Sequence, residues 1–348
     1  MSKRGKRRQT ALANRQSNSS VGPTVDARFS KFHYTTAAGL IGIITTRTLW
    51  ATHANFLNDT AECQLLSRLL TPQVEREFSE ILPRLITLGA FKPELLDSLN
   101  GNTMQTEAEK VTSIILKTIE RVSPIYITSF CMHEVGSPES EHGLLSQWRG
   151  YGRGGFAVEF DERELDLLTN EENQKHSYQV MATRKVEYEN HEAAANLSRF
   201  DGIAAAFLKV AFEDKAPNLA ARPDIHKILG DRHPQNYIRA FVDVVPFLKS
   251  PRFKEENEYR VVALATRQTV NSSELDGRPH KQVRFREGAG GTVVPYISLF
   301  EGIGKLPIKK IIVGPHRDQE NQFNAARLLL DQNGMDVPIV RSDTTLRF

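Results

Sequence analysis

The spacing of hydrophobic and polar positions changes along the chain, and each change marks an element. Residues 31–62 open with a short strand pattern that delivers His33-Tyr34-Thr35 to a loop. An apolar helical stretch with Leu40, Ile43 and Ile44 follows, then a second short strand with Leu49 and Trp50. The unit closes on Asn58-Asp59, and Glu62 stands three residues beyond Asp59, the spacing of a capping box. From about residue 60 to 121 the period is helical, with Glu62, Leu65, Leu66, Leu69 and Leu70 in one run and Val111, Ile114, Ile115 and Ile119 in another. Pro72, Pro83, Pro93 and the turn Asn100-Gly101-Asn102 are expected to divide that region into separate helices.

Strand patterns return at 125–131, 155–160, 181–188, 259–265, 281–286, 293–297 and 310–313, with helical stretches at 191–212 and 236–245. The chain closes on a helix at 319–332, stopped by Asn333-Gly334, and a strand at 337–341. This order predicts an α+β fold with a mixed or antiparallel β core. We expect one domain over residues 28–348, with a helical insertion at about 60–121 and a separate tail at 1–27.

Composition narrows the class. The 348 residues are 40% hydrophobic and 25% charged, enough to bury a sizeable core. Two cysteines, Cys63 and Cys131, cannot make a disulfide framework, which fits a reducing compartment. No apolar run approaches the roughly 18–20 residues of a membrane span. A cytoplasmic protein with no membrane partner is the expectation. The net charge of +3 hides an asymmetry, because residues 1–25 hold six basic residues and no acid, leaving 39 basic against 42 acidic elsewhere. Such a tail is expected to be disordered. It is either a solubilising terminus or an electrostatic tether to nucleic acid or a ribonucleoprotein.

Four clusters could carry chemistry. His33 and Thr35 share one strand face and Tyr34 takes the other; imidazole and hydroxyl together could hold ribose hydroxyls or a phosphate, or the imidazole could act as a base. A half-buried structural histidine is the plain alternative. Asp59 and Glu62 read first as helix caps, with Asn58 or Asp59 facing a pocket beside His33 as the functional option. A metal cluster of His33, His53, Asp59 and Glu62 lacks dense ligand spacing.

The third cluster, Gln147 to Gly155, combines glycines with Trp148 and Tyr151 as stacking surfaces and Arg149 and Arg153 as phosphate partners. It reads as a loop in a folded domain, and ordinary turn glycines are the alternative. The fourth enters the strand Val261-Val262-Ala263-Leu264, with Glu258 and Arg260 on one face and Tyr259 on the other. Glu258 could stabilise an oxocarbenium-like centre, or it could pair with Arg260 on a solvated face. Glu255 and Glu256 read as solvated.

The ordered series His33-Tyr34-Thr35, Phe56-x-Asn58-Asp59-x-x-Glu62, Ser129-Phe130-Cys131, Gln147-Trp148-x-x-Tyr151, Gly155-Phe156-Ala157-Val158-x-Phe160 and Glu258-Tyr259-Arg260 resembles the bacterial family known as domain of unknown function 2971. Ile311-Ile312-Val313-Gly314-Pro315, Ser342 and Arg347 extend the likeness, which covers roughly residues 29–347. Some members of that family sit near phage-defence genes, but the label carries no chemistry.

A more distant likeness does. His33, Thr35, Leu40, Ile43, Ile44 and Leu49 form a block similar to the first motif of ADP-ribosyltransferases of the His–Tyr–Glu type. That resemblance implies a strand histidine on a ribose of NAD, an aromatic on nicotinamide and a late-strand glutamate that drives transfer. It places His33, Tyr151 (or Trp148) and Glu258 in those roles. Tyr34, Thr35, Asn58, Arg149, Arg153 and Arg260 stand as further NAD-binding candidates. The expected function is therefore NAD-dependent ADP-ribosyl transfer by an effector in phage defence or a toxin. The alternative is a non-enzymatic nucleotide- or nucleic-acid-binding defence protein.

Overall fold

The computed structural model describes residues 28–57, 62–95, 101–122, 124–152, 155–265, 277–288 and 291–344. The expected tail, Asn58, Asp59 and Arg153 lie outside these residues, as does the side chain of Glu62.

Among the described residues the fold is mixed α+β around one open sheet of ten strands. In chain order they are β1 (Phe29–Thr35), β2 (Leu49–His53), β3 (Ile125–Glu134), β4 (Phe156–Phe160), β5 (Tyr178–Lys185), β6 (Glu258–Ala265), β7 (Arg284–Glu287), β8 (Val293–Leu299), β9 (Ile308–Val313) and β10 (Ile339–Arg341). The main path runs β10-β9-β4-β1-β3-β2-β8-β7, while β6 pairs with β3 and carries β5 on its outer side. Among the described residues, these strands pair antiparallel except β9 with β10.

The sheet is packed on both faces. On one, Tyr259, Val261 and Ala263 of β6 join Phe130, Phe156, Phe160 and the buried Leu40, Ile43 and Ile44 of helix Ala37–Thr46. On the other, Val262 and Leu264 join Ile125 and Ile127 beneath helices Glu62–Thr87, Gly101–Val122, Ile203–Lys215 and Ile238–Val244. Every residue of β6 is buried, which is why Val261-Val262-Ala263-Leu264-Ala265 reads as a continuous apolar run rather than an alternation.

Helix Glu62–Thr87 continues through Pro72 and Pro83, where breaks were expected. The burial of Leu66, Leu70, Val74, Leu82 and Leu85 along one seam outweighs the missing backbone donors. The expected helix at 191–212 is instead divided into His191–Ala195, Leu197–Phe200 and Ile203–Lys215. The breaks fall at Asn196 and Gly202, both at positive φ. Helix Glu162–Lys175 has no counterpart in the sequence reading, although Asp161 caps it through the Glu164 N–H, a signal visible in the chain.

Candidate functional site

The site follows from a parting of strands. β1 pairs with β3 up to Phe32 opposite Cys131, and β2 pairs with the same edge of β3 only at Thr52 and His53, opposite Ile127 and Tyr126. Between these ladders Thr128, Ser129 and Phe130 have no strand on that side among the described residues. Side chains take over: the His33 imidazole donates from Nδ1 to the Ser129 carbonyl at 2.9 Å, and the Thr128 hydroxyl donates to the Trp50 carbonyl at 3.0 Å. The opening is continuous with a cleft of about 550 Å³ bordered by His33, Thr35, Tyr151, Glu256, Glu258 and Arg286, among others.

The pleat puts His33 and Thr35 on the face opposite Glu258, since they pair with Val158 and Phe156 of the first core. They reach the cleft through the gap between β1 and β2. Two inter-strand steps separate His33 from Glu258, roughly 10 Å between backbones. Burial lowers the His33 pKa, partly offset by the Ser129 bond, so the ring is neutral at pH 7. With Nδ1 donating, Nε2 keeps its lone pair free to accept a hydroxyl. Gly39 lets Thr35 sit against the first helix, because a Cβ there would collide with the Thr35 hydroxyl.

The opposite wall is a buried ion network. Arg260 grips Glu258 with two prongs, Nε to Oε1 at 2.8 Å and Nη2 to Oε2 at 3.0 Å. Lys249 Nζ adds a bond to Glu258 Oε2 at 3.1 Å and another to Glu256 Oε2 at 2.6 Å. Burial alone would raise the Glu258 carboxyl, but Arg260, Lys249 and the Ser129 hydroxyl hold it down to about 2. Both carboxylate oxygens are thereby engaged by cations. Glu258 is thus ionised and saturated, and the Glu258–Arg260 pair lies buried rather than on a solvated face.

Glu256 is a correction to its reading as solvated: it is buried, borders the cleft, and has its pKa raised by that burial against the pull of Lys249. Two carboxylates sharing one ammonium are therefore driven apart in acidity, a pattern found at acid–base sites. Tyr151, half exposed at the cleft, has its hydroxyl pushed up to about 12 by burial and the nearby glutamates.

Other candidates stand elsewhere. Trp148 is wholly buried and packs on Gly314 and edge-on to Tyr34, with Nε1 donating to the His142 carbonyl at 3.1 Å. It is a core anchor and no stacking surface. Tyr34 borders the cleft, but its hydroxyl accepts from the Leu144 N–H at 2.7 Å and bonds His133 Nε2 at 2.8 Å, which commits it. Arg149 is exposed and does not border the cleft, and Arg260 is spent on Glu258 and the Pro246 carbonyl. The expected loop around Trp148–Gly152 is a wide helical turn.

The sequence reading missed Trp50, Thr52 and Arg286 as site residues. Trp50 and Thr52 sit two apart on β2 and pair with Ser298 and Tyr296 of β8, which in turn places Arg284 opposite Tyr296. Alternation was the available signal, yet only the strand order shows that this polar face borders the cleft.

No curated protein and no solved structure matches the chain. The segment that carries Tyr151, Lys249, Glu256, Glu258 and Arg260 does find a match: residues 147–261 fit the family described as protein of unknown function (DUF2971), which bears out that resemblance over this stretch.

Proposed function

We propose that the cleft binds an NAD-type dinucleotide and that the protein transfers ADP-ribose from it. One observation carries this reading: His33, Thr35, Tyr151 and the Glu256–Glu258 pair, drawn from three distant stretches of sequence, border a single cleft. Its volume lies within the roughly 300–1,000 Å³ typical of small-molecule sites. His33 Nε2 would accept a ribose hydroxyl, and Tyr151 would lie against a ring.

In the transfer step the C1′–N bond to nicotinamide breaks and its electron pair returns to the ring nitrogen. A bond forms from C1′ to a nucleophilic oxygen, nitrogen or sulfur of the acceptor. The proton displaced from the acceptor goes to Glu256, whose Oε1 has no hydrogen-bond partner among the described residues. Glu258, saturated by Arg260 and Lys249, acts as a positioning residue that fixes Lys249 and through it Glu256. The glutamate role in transfer thus passes from Glu258 to Glu256. Action in phage defence or as a toxin rests on the family resemblance, and delivery to nucleic acid on the basic residues of 1–25.

The saturation of Glu258 favours one second reading, a nucleotide-binding protein without transfer. Incubation with labelled NAD and cell lysate or RNA separates the two. Transfer requires nicotinamide release by the wild type that falls at least about tenfold in Glu256→Gln. Binding of NAD without release supports the second reading, and neither binding nor release refutes both.

A further inference from the structure

Among the described residues three cations border the cleft, and two are spent. Lys249 is bound to Glu256 and Glu258, and Arg260 to Glu258. The third is Arg286 on β7, which has no carboxylate partner among the described residues. Its one hydrogen bond there runs from Nη2 to the Thr52 hydroxyl at 3.3 Å, while Nε is buried with no acceptor. The guanidinium lies 5.8 Å from the Trp50 ring centre.

The contrast with Arg284 is informative, because the two arginines sit two apart on the same strand and share a face. Arg284 is gripped by both oxygens of Glu301 at 2.8 and 3.0 Å and also donates to the Ser298 hydroxyl at 3.2 Å. Neighbouring Glu287 borders the cleft too, but it alternates to the other face of β7 and is exposed. A guanidinium offers five donors in a planar fork that matches two oxygens of one phosphate. An arginine that borders a cleft beside a hydroxyl and an indole, with no carboxylate on its guanidinium among the described residues, is arranged for an anion.

We infer that Arg286 and the Thr52 hydroxyl form the phosphate subsite of the cleft, and that its ligand is a nucleotide carrying a diphosphate. The assignment rests on the nucleotide reading above and replaces Arg149, which does not border the cleft, as a phosphate partner. The Thr52 hydroxyl, which accepts from Arg286, keeps its own proton to donate to a phosphate oxygen.

The test is calorimetric titration of the full chain with ADP, inorganic pyrophosphate and adenosine, in wild type, Arg286→Gln and Arg286→Lys. The expected result is that Arg286→Gln weakens ADP and pyrophosphate about 10–100-fold, leaves adenosine unchanged and is partly rescued by lysine. Equal ADP affinity in wild type and Arg286→Gln, or no ADP or pyrophosphate binding by the wild type, overturns the subsite. If Arg286→Gln fails to fold by its melting curve, the lysine variant decides by the same comparison. ADP binding that depends on Arg286 without nicotinamide release from NAD keeps the subsite and refutes transfer. Release with an unchanged KM for NAD in Arg286→Gln does the reverse.

Discussion

The two walls of the cleft are built on opposite terms. On the β3–β6 wall each charge has its counter-charge, and Glu258 is enclosed by Arg260, Lys249 and Ser129. On the β2–β7 wall Arg286 borders the cleft with no carboxylate partner among the described residues. A satisfied network contributes rigidity and positions its neighbours, whereas an unmet cation costs stability until a ligand arrives. The closed wall is thus the frame and the open wall the receiver.

Breaking the frame has the largest expected effect. Glu258→Ala leaves Arg260 and Lys249 buried beside a missing carboxylate and should cost about 3–5 kcal/mol in denaturant unfolding. Adding Arg260→Met should recover part of that loss, and a double variant no better than the single one would contradict the pairing.

Acid should act elsewhere first. Glu258 lies below its ordinary value, so its contribution is present above about pH 4 and is lost only as pH falls towards 2. His133, pushed down from 6.5 to about 4 by burial, binds its proton in the unfolded chain first, so stability falls as pH drops through that window. The loss should be about 3 kcal/mol, with His33 adding in the same direction. Unfolding midpoints that stay flat between pH 6.5 and 4 would contradict these buried neutral rings.

Smaller effects separate fit from charge. Gly39→Ala forces Thr35 from its place against the first helix and should cost about 1–3 kcal/mol. Arg286→Gln should leave the unliganded protein as stable as the wild type or up to about 1 kcal/mol more stable, since it removes the unmet cation and no ion pair among the described residues depends on it. A large destabilisation would make Arg286 part of the frame.

Local pattern disclosed the β1 residues and the paired face of Glu258 and Arg260, because alternation along a strand is a property of neighbours. It also disclosed the α+β class and the terminal helix–strand pair. What it could not disclose came from distant packing. Nothing near Arg284 and Arg286 tells which one meets Glu301, seventeen residues from the first. Trp148 looked like a stacking surface because its glycine neighbours suggested an open loop, but Gly314 and Gly143 make room for it inside. Glu256 looked solvated beside Glu255 until Lys249 was brought against it by the fold.

The chain has two tryptophans, one bordering the cleft and one buried in the core. Fluorescence during NAD titration therefore tests the central claim directly. Binding in the cleft should change the emission of Trp50, and Trp50→Phe should abolish that change while Trp148 continues to emit. An unchanged wild-type spectrum at millimolar NAD, or a response that survives Trp50→Phe, would contradict the cleft as the nucleotide site.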